Sequence, residues 1–408
     1  MRRFLIVSIF VGLAARAEAK KHEERVADAV FVDPCLDGSE GACKRRALDG
    51  FYRSLAATDA GTGAHPTRIS WFGDSLTADD QITDQVRHRL QPKFGDGGPG
   101  FVFAMPPHPF CEHREVKRAG GSGWTVYGVS TDVARDRLMG LGGAAESDGG
   151  WLRFAPANAA IKSADVFYLA EPHGGSIDVR ANGTSVGSIA TASSSKTASF
   201  QAFAVSGAVK KIELRASGHV RLFGVALEAA SGVVVDNLGV VNATAKAFAK
   251  IKPDHWQAEL AHRAPDLVVV MIGTNEAEWL PAKGAALDEH EQVVEGLLAS
   301  VRAANPDASC LVISPLDQLD WRTEGTPARA SVPAMVAAQE KAAIAKGCAF
   351  WDAYTWMGGK RASLDWFHRG LLTNDFQHPT TAGAHRIADA FAAGLLDGYV
   401  AYRARATS

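Results

Sequence analysis

Ser75 stands in the motif Gly73-Asp74-Ser75-Leu76, directly after a predicted strand and at the start of a predicted helix. Open α/β sheets place their sites at the carboxyl ends of strands, so this hydroxyl could serve as a nucleophile. The Ser75 N–H would be unpaired and positively polarised at the helix N-terminus, which suits a developing oxyanion. The alternative is an ordinary helix cap, since Asp and Ser are both common N-cap residues.

A carboxylate and an imidazole stand three residues apart in Asp375-Phe376-Gln377-His378, just before the last predicted helix. At this spacing Asp375 can accept a hydrogen bond from Nδ1–H of His378, which leaves Nε2 free to take a proton from a serine. A single Asp-x-x-His is a weak signal. Its value here comes from its position relative to Ser75 in the order of strands and helices.

Asn275 lies in Gly273-Thr274-Asn275-Glu276, directly after another predicted strand. Its side-chain amide could donate to the same oxyanion as the Ser75 N–H, and one such donor is worth about 3 kcal/mol of barrier. The alternative is an ordinary strand-to-helix turn.

From residue 67 onward, predicted strands and helices alternate in a pattern typical of a parallel sheet with helices on both faces. Residues 267–272 are branched and apolar, as a strand buried on both faces requires. The predicted strands cover residues 68–72, 232–236, 267–272, 311–314 and 349–352. The predicted helices cover residues 75–90, 243–263 with an interruption near Pro253, 289–304, 332–346 and 381–396.

Residues 105–231 interrupt this alternation with short runs of period two, separated by turn signals such as Asn182-Gly183. The pattern predicts an antiparallel β-sandwich domain inserted into the α/β domain. The α/β domain then comprises residues 67–104 and 232–408. Residues 20–66 form a leader with one short predicted helix over residues 44–56.

The first residues predict export. Arg2 and Arg3 precede an apolar run over residues 4–14, and small residues follow at Ala17 and Ala19. This pattern indicates a signal peptide over residues 1–19 and a secreted or periplasmic protein. The alternative is an uncleaved anchor, although a bilayer span takes about 20 apolar residues. The sequence predicts no membrane span after signal cleavage.

Composition restricts the class of partner and the redox state. The net charge of -2 over 408 residues gives no field that would gather nucleic acid. In an exported protein, five cysteines suggest disulfides. Cys35–Cys43 and Cys310–Cys348 are the expected pairs and Cys111 the odd one, although all five could be reduced.

The three motifs, in this order and after three predicted strand ends, resemble the GDSL/SGNH hydrolase family. That resemblance implies a flavodoxin-like three-layer α/β/α fold and ester hydrolysis through an acyl-serine, with no metal or other cofactor. It implies Ser75 as nucleophile, His378 as base, Asp375 as its orienting carboxylate and Asn275 as an oxyanion donor.

One element departs from the family pattern. A glycine N–H usually completes the oxyanion hole, and here the corresponding position is Asn242. Asn tolerates the left-handed backbone better than other non-glycine residues, so its N–H could still donate. Gly239 is the alternative donor, and the sequence leaves the choice open.

A narrower resemblance, to bacterial peptidoglycan O-acetylesterases with a carbohydrate-binding-module-like insert, rests on residues 95–101, Ser122-Gly123-Trp124-Thr125 and the β-rich segment. Trp124 could stack on a sugar or pack in a core. The expected function is removal of O-acetyl or other short acyl groups from a polysaccharide or peptidoglycan. An O-acyltransferase on the same site and a non-catalytic carbohydrate-binding protein are the alternatives.

Overall fold

The computed structural model describes residues 28–158 and 160–406. In chain order its strands are β1 (Cys35–Asp37), β2 (Arg45–Arg46), β3 (Thr67–Gly73), β4 (Gly100–Phe103), β5 (Val116–Gly120), β6 (Thr125–Gly128), β7 (Gly143–Pro156), β8 (Ser163–Ala170), β9 (Ser176–Ala181), β10 (Thr184–Ala190), β11 (Thr197–Ala204), β12 (Ile212–Glu228), β13 (Val233–Gly239), β14 (Leu267–Met271), β15 (Ser309–Ile313) and β16 (Ala349–Trp351). Its α-helices are α1 (Asp49–Asp59), α2 (Ser75–Ala78), α3 (Gln81–Phe94), α4 (Ala245–Phe248), α5 (Pro253–Arg263), α6 (Ala285–Ala304), α7 (Ser331–Ala345), α8 (Ala353–Met357), α9 (Ala362–His368) and α10 (Thr381–Ala406). Two 3-10 helices cover Glu40–Ala42 and Glu276–Glu278.

Five strands form a parallel sheet in the order β13-β3-β14-β15-β16. Numbered along the chain within this sheet, the order is 2-1-3-4-5, which is that of flavodoxin-like folds. The predicted fold class is therefore confirmed. The order reverses at β3, so the loops that follow β3, β13 and β14 border one crevice at the carboxyl edge of the sheet.

Helices cover both faces of this sheet. Successive side chains of a strand point to opposite faces, and Trp71 and Phe72 of β3 accordingly belong to different buried clusters. Trp71 packs with Phe391 of α10, on the face that α1 and α3 also cover. Phe72 packs with Trp256 of α5, on the face covered by α6 and α7.

A second sheet of nine strands contains the predicted antiparallel insert. The long strand β12 pairs with β7 and β9 in its first part and with β8 and β4 in its last part. Both parts contribute to one buried cluster, which includes Leu214 and Val225. Because β4 pairs with the last part of β12, antiparallel pairing already begins at Gly100, ahead of residue 105.

The inserted sheet packs tightly onto the α/β layers. Phe167 and Phe223 of β8 and β12 are fully buried in the cluster that holds Phe72 and Trp256. The two sheets therefore share a hydrophobic core.

The leader differs from its prediction. The expected helix over residues 44–56 is wrong in its first turn, because Arg45–Arg46 pairs with Cys35–Asp37 as a short antiparallel ribbon. A disulfide between Cys35 and Cys43 closes this ribbon, and α1 begins only at Asp49. The predicted signal peptide, residues 1–19, lies outside the described residues.

Both expected disulfides form, and Cys111 is a buried free thiol. Cys310 in β15 and Cys348 just before β16 meet at one end of two neighbouring parallel strands. The Cys310–Cys348 bond closes a loop with a sequence separation of 38. Restricting the unfolded chain in this way stabilises the native state by about 4 kcal/mol in the loop-entropy model.

The predicted continuous helix after Ser75 is interrupted. It splits into α2 and α3 because Asp80 has a left-handed backbone, with φ of 62°. The buried Asp80 carboxylate accepts hydrogen bonds from the Arg87 guanidinium, the Thr83 hydroxyl and the Arg114 N–H. These contacts compensate the strained backbone of Asp80. As a result α2, which Ser75 opens, remains a single short turn.

Within the described ranges, no helix is both long and apolar enough to cross a bilayer.

Candidate active site

Ser75, His378 and Asp375 form a continuous chain of hydrogen bonds. Ser75 is the first residue of α2, immediately beyond β3, and its Oγ lies 2.8 Å from Nε2 of His378. Nδ1 of the same imidazole lies 2.7 Å from Oδ2 of Asp375. In this arrangement the imidazole can take the serine proton at Nε2 while Asp375 fixes its tautomer and orientation.

The turn before α10 holds the Asp375 carboxylate in place. Its Oδ1 accepts hydrogen bonds from the Thr373 hydroxyl at 2.7 Å and from the N–H groups of Gln377 and His378 at 3.0 Å each. Burial opposes ionisation, but the hydrogen bonds from His378, Thr373 and the backbone hold the pKa of Asp375 well below its usual range. Oδ2 is thus presented to the imidazole as part of an ionised carboxylate.

Three candidate oxyanion donors, on Ser75, Asn242 and Asn275, lie on the segments that follow β3, β13 and β14 at the carboxyl edge of the sheet. The N–H groups of Ser75 and Asn242 have no hydrogen-bond acceptor in the part of the chain that the structure describes. Asn242 has a left-handed backbone with φ of 61°. Nδ2 of Asn275 donates to the Ala243 carbonyl at 2.8 Å, which uses one of its two hydrogens and fixes the loop beside Asn242. This arrangement can place two backbone N–H groups and one amide around an oxyanion.

A buried carboxylate lies beneath the serine. Oδ1 of Asp74 accepts the Leu76 N–H at 3.0 Å and so caps α2. Burial raises the pKa of Asp74. The hydrogen bond to Asp375 is the main cause that raises the pKa of His378, and the charge of Asp74 acts in the same direction.

Residues 213–386 match the model of the GDSL-like Lipase/Acylhydrolase family. This segment of the chain is similar to that family. The matched segment begins in β12 and includes Asn242, Asn275, Asp375 and His378, whereas the Ser75 motif precedes the inserted sheet. The match to this family supports a carboxylic ester hydrolase.

One solved structure shares the fold of this chain over most of its length. This structure, described as a peptidoglycan O-acetylesterase, aligns with a TM-score of 0.74 at 23% identity, covering 86% of this chain and 96% of that chain. An alignment confined to residues outside 105–231 would cover less than 86% of this chain, so the likeness extends into the inserted sheet. An acetyl-xylooligosaccharide esterase from Geobacillus aligns with a TM-score of 0.29 at 20% identity, over 39% of this chain and 70% of that chain. A search of curated proteins found no match.

Of the two alternative backbone donors, Gly239 already has a hydrogen-bond acceptor in the structure. The Gly239 N–H donates to Oδ1 of Asn237 at 3.0 Å. A Cβ at Gly239 would lie 2.5 Å from the Ala78 nitrogen. The glycine at this position is therefore explained by close packing on α2, and its N–H is already engaged.

Trp124 is not brought to the Ser75 site by any contact in the described structure. It packs beside Gly150 in the inserted sheet, next to the buried cluster of that sheet. Its indole N–H is buried and has no hydrogen-bond partner among the described residues. These contacts are those of a tryptophan that packs in a core.

Several contacts of the candidate site were not predicted. Thr373 supports Asp375, and the Ser130 hydroxyl of the insert donates to the Val241 carbonyl at 2.5 Å, one residue before Asn242. A threonine two residues ahead of Asp375 was a local signal for the first contact. The second joins residues 111 positions apart and left no signal in the sequence. No group of three or more His, Cys, Asp or Glu side chains is placed to hold a metal ion in residues 28–158 and 160–406.

The pH dependence of hydrolysis tests the role of the Asp375–His378 pair. A general base must be neutral, and Asp375 raises the pKa of His378, so kcat/KM for p-nitrophenyl acetate should increase with pH through a pKa above the ordinary 6.5. Asp375→Asn removes the carboxylate charge and should move this ascending limb to lower pH while reducing the plateau. Asp288→Asn, an exposed position on α6, is the matched control. EDTA should change neither profile. If the ascending part of the pH profile had the same pKa in Asp375→Asn as in wild type, the proposed pairing of Asp375 with His378 would be contradicted.

Proposed function

We propose that the chain is an exported serine esterase that removes O-acetyl or other short acyl groups from a polysaccharide. The observation that carries the proposal is the hydrogen-bonded series Ser75–His378–Asp375. It is supported by the N–H groups of Ser75 and Asn242, which have no acceptor among the described residues. Ser75 is then the nucleophile, His378 the general base, Asp375 its orienting carboxylate and Asn275 an oxyanion donor.

Acylation begins when Nε2 of His378 takes the proton of the Ser75 hydroxyl. The serine oxygen then forms a bond to the ester carbonyl carbon, and the carbonyl oxygen becomes an oxyanion facing the three donors. When the intermediate collapses, the bond to the sugar oxygen breaks. The imidazolium returns its proton to that oxygen, so the sugar leaves as a free hydroxyl and the acyl group stays on Ser75.

Deacylation repeats these steps with water as the nucleophile. His378 takes a proton from a water molecule whose oxygen bonds to the acyl carbon, and the ester bond to Ser75 then breaks. The proton returns to the serine oxygen. Acetate is released and the enzyme is regenerated.

Export and a polymeric substrate are supported by separate observations. Disulfides such as Cys35–Cys43 and Cys310–Cys348 persist in oxidising compartments, in keeping with the predicted signal peptide. The solved structure that aligns over 86% of this chain is described as an esterase of peptidoglycan. A polymer of the cell envelope is therefore the substrate class that we propose.

We further propose that the insert, residues 105–231, helps to bind this polymer. Ser130 contacts the loop of Asn242. The residues that follow Ser130, from Thr131 to Val133, line a cavity of about 690 Å³ in the inserted sheet. Tyr127 borders this cavity, with its hydroxyl 2.6 Å from Glu146 and the Arg221 guanidinium 5.6 Å from its ring centroid. An aromatic ring flanked by charged groups is suited to the mixed apolar and polar surface of a sugar.

Substitution of Tyr127 tests the role of the insert without removing the shared core. Remote contacts with a polymer contribute binding energy that small esters do not use. Tyr127→Ala should therefore lower the ratio of kcat/KM on acetylated polymer to kcat/KM on p-nitrophenyl acetate by about five- to tenfold. Tyr127→Phe, which keeps the ring, should retain most of the ratio. An unaltered ratio in Tyr127→Ala would show that the insert only stabilises the fold.

Acetate release from O-acetylated peptidoglycan and from acetylated xylan tests the proposed function. The wild-type protein should release acetate from at least one polymer, and Ser75→Ala should release none above background. Turnover of p-nitrophenyl acetate without release from either polymer would overturn the assignment of a polysaccharide substrate. Equal release by wild type and Ser75→Ala would overturn the assignment of the nucleophile.

A further inference from the structure

Two tryptophans are exposed at the carboxyl edge of the parallel sheet. Trp279 follows the 3-10 helix after β14, and Trp321 lies in the loop after β15. Their exposed fractions are 56% and 48%. Single exposed apolar residues are common, but two large aromatic side chains exposed at the same edge as Ser75 indicate a binding surface.

A charged pair links the two segments that carry these tryptophans. Glu278 directly precedes Trp279, and its Oε2 lies 2.9 Å from Nη1 of Arg322. The Arg322 guanidinium lies 5.1 Å from the ring centroid of its neighbour Trp321. Trp279, Trp321 and the Glu278–Arg322 pair thus lie on two segments joined by a salt bridge, and we call these four residues the tryptophan platform.

The platform is also connected to the turn that carries the candidate base. Nε2 of Gln377 donates to Oε1 of Glu278 at 3.1 Å, and Gln377 is the residue immediately before His378. Burial opposes ionisation of Glu278, but its bonds to Arg322 and Gln377 hold the pKa of this carboxyl below its usual range. The platform therefore carries an ionised acceptor and a permanent cation beside two rings.

We propose that the tryptophan platform is a carbohydrate-binding subsite for a pyranose unit of the polymer outside the acylated unit. The proposal rests on the function proposed above. The apolar face of a sugar ring can stack on an indole, and its hydroxyl groups can bond to Glu278 and Arg322. A purely apolar partner would desolvate this charged pair without replacing its hydrogen bonds, which is costly.

The order of the strands sets the direction in which a polymer would lie. Ser75 follows β3, the platform lies beyond β14 and β15 on one side, and the loop of Asn242 that contacts the insert lies beyond β13 on the other. A chain held at both places would cross Ser75. The platform is thus expected to contribute to substrate affinity.

Substitutions at the two tryptophans test the platform by activity and by binding. For Trp279→Ala/Trp321→Ala, the ratio of kcat/KM on acetylated glycan strands to kcat/KM on p-nitrophenyl acetate should fall at least about tenfold, mainly through KM. Trp321→Tyr should keep most of the wild-type ratio. Trp321→Leu, which is apolar but not aromatic, should lower it. Val400→Ala, an exposed apolar position on α10, is the control.

Binding separates failure of the platform from failure of the proposed function. Acetylated glycan strands should bind to Ser75→Ala protein in isothermal titration calorimetry, with affinity at least about tenfold weaker when both tryptophans are also replaced. Unchanged affinity and an unchanged activity ratio would overturn the platform even if wild type deacetylates the polymer. Wild type that releases no acetate would instead overturn the proposed function. Self-association that is lost in the double variant, with no glycan binding, would assign the surface to a protein contact and overturn the subsite.

Discussion

Ser75→Ala is expected to lower kcat for p-nitrophenyl acetate at least about a thousandfold, because it removes the hydroxyl that we propose forms the acyl-enzyme. His378→Ala should have an effect of similar size, since the serine then keeps its proton. The two residues act as one unit, so the double variant should be little worse than either single variant. Steady-state kinetics on the three purified proteins measures these changes.

The folded state should survive these substitutions. Ser75 is half-buried, and its hydroxyl bonds only to His378 among the described residues. The melting temperature of Ser75→Ala should therefore stay near that of wild type, and Ser195→Ala at an exposed position is the activity control. A folded Ser75→Ala protein that keeps most of its activity would show that another residue is the nucleophile.

Asn275→Ala is expected to lower kcat about a hundred- to a thousandfold, because one oxyanion donor is worth about 3 kcal/mol of barrier. The loss should appear in kcat more than in KM, since the donor acts on charge that develops in the transition state. Part of the effect will come from the Ala243 carbonyl, which loses the 2.8 Å hydrogen bond from Nδ2. Kinetics on p-nitrophenyl acetate separates kcat from KM.

Asn242→Gly is the matched comparison for Asn275→Ala. Glycine adopts a φ of 61° without strain and retains the backbone N–H, so this variant should keep activity close to wild type. Loss of activity in Asn242→Gly as large as in Asn275→Ala would mean that the Asn242 side chain, and not its N–H, acts on the oxyanion. Near-normal kcat in Asn275→Ala would remove Asn275 from the oxyanion hole.

The parallel sheet was predictable because its determinants are local. The apolar run over Leu267–Met271 and the regular alternation of strands and helices require a sheet covered on both faces. The placement of Ser75 and Asn275 at one edge follows from that alternation. The Asp375–His378 pair was predictable because its geometry depends on a spacing of three residues.

Features that depend on distant contacts could not be predicted. Asp80, whose left-handed backbone separates α2 from α3, is supported by Arg87 and by the N–H of Arg114, which is 34 residues away. Arg45 belongs to a ribbon instead of a helix because of the pairing that the Cys35–Cys43 disulfide closes. A single sequence also cannot distinguish a buried tryptophan from an exposed one, so Trp321 gave no signal.

Covalent trapping of the nucleophile tests the central claim most directly. A fluorophosphonate reacts with an activated serine through displacement of fluoride, and peptide mass spectrometry locates the adduct. We expect one adduct, on the peptide that contains Ser75. Labelling should be lost in Ser75→Ala and strongly slowed in His378→Ala. Labelling of a different residue in wild type, or undiminished labelling of Ser75→Ala, would contradict the central claim.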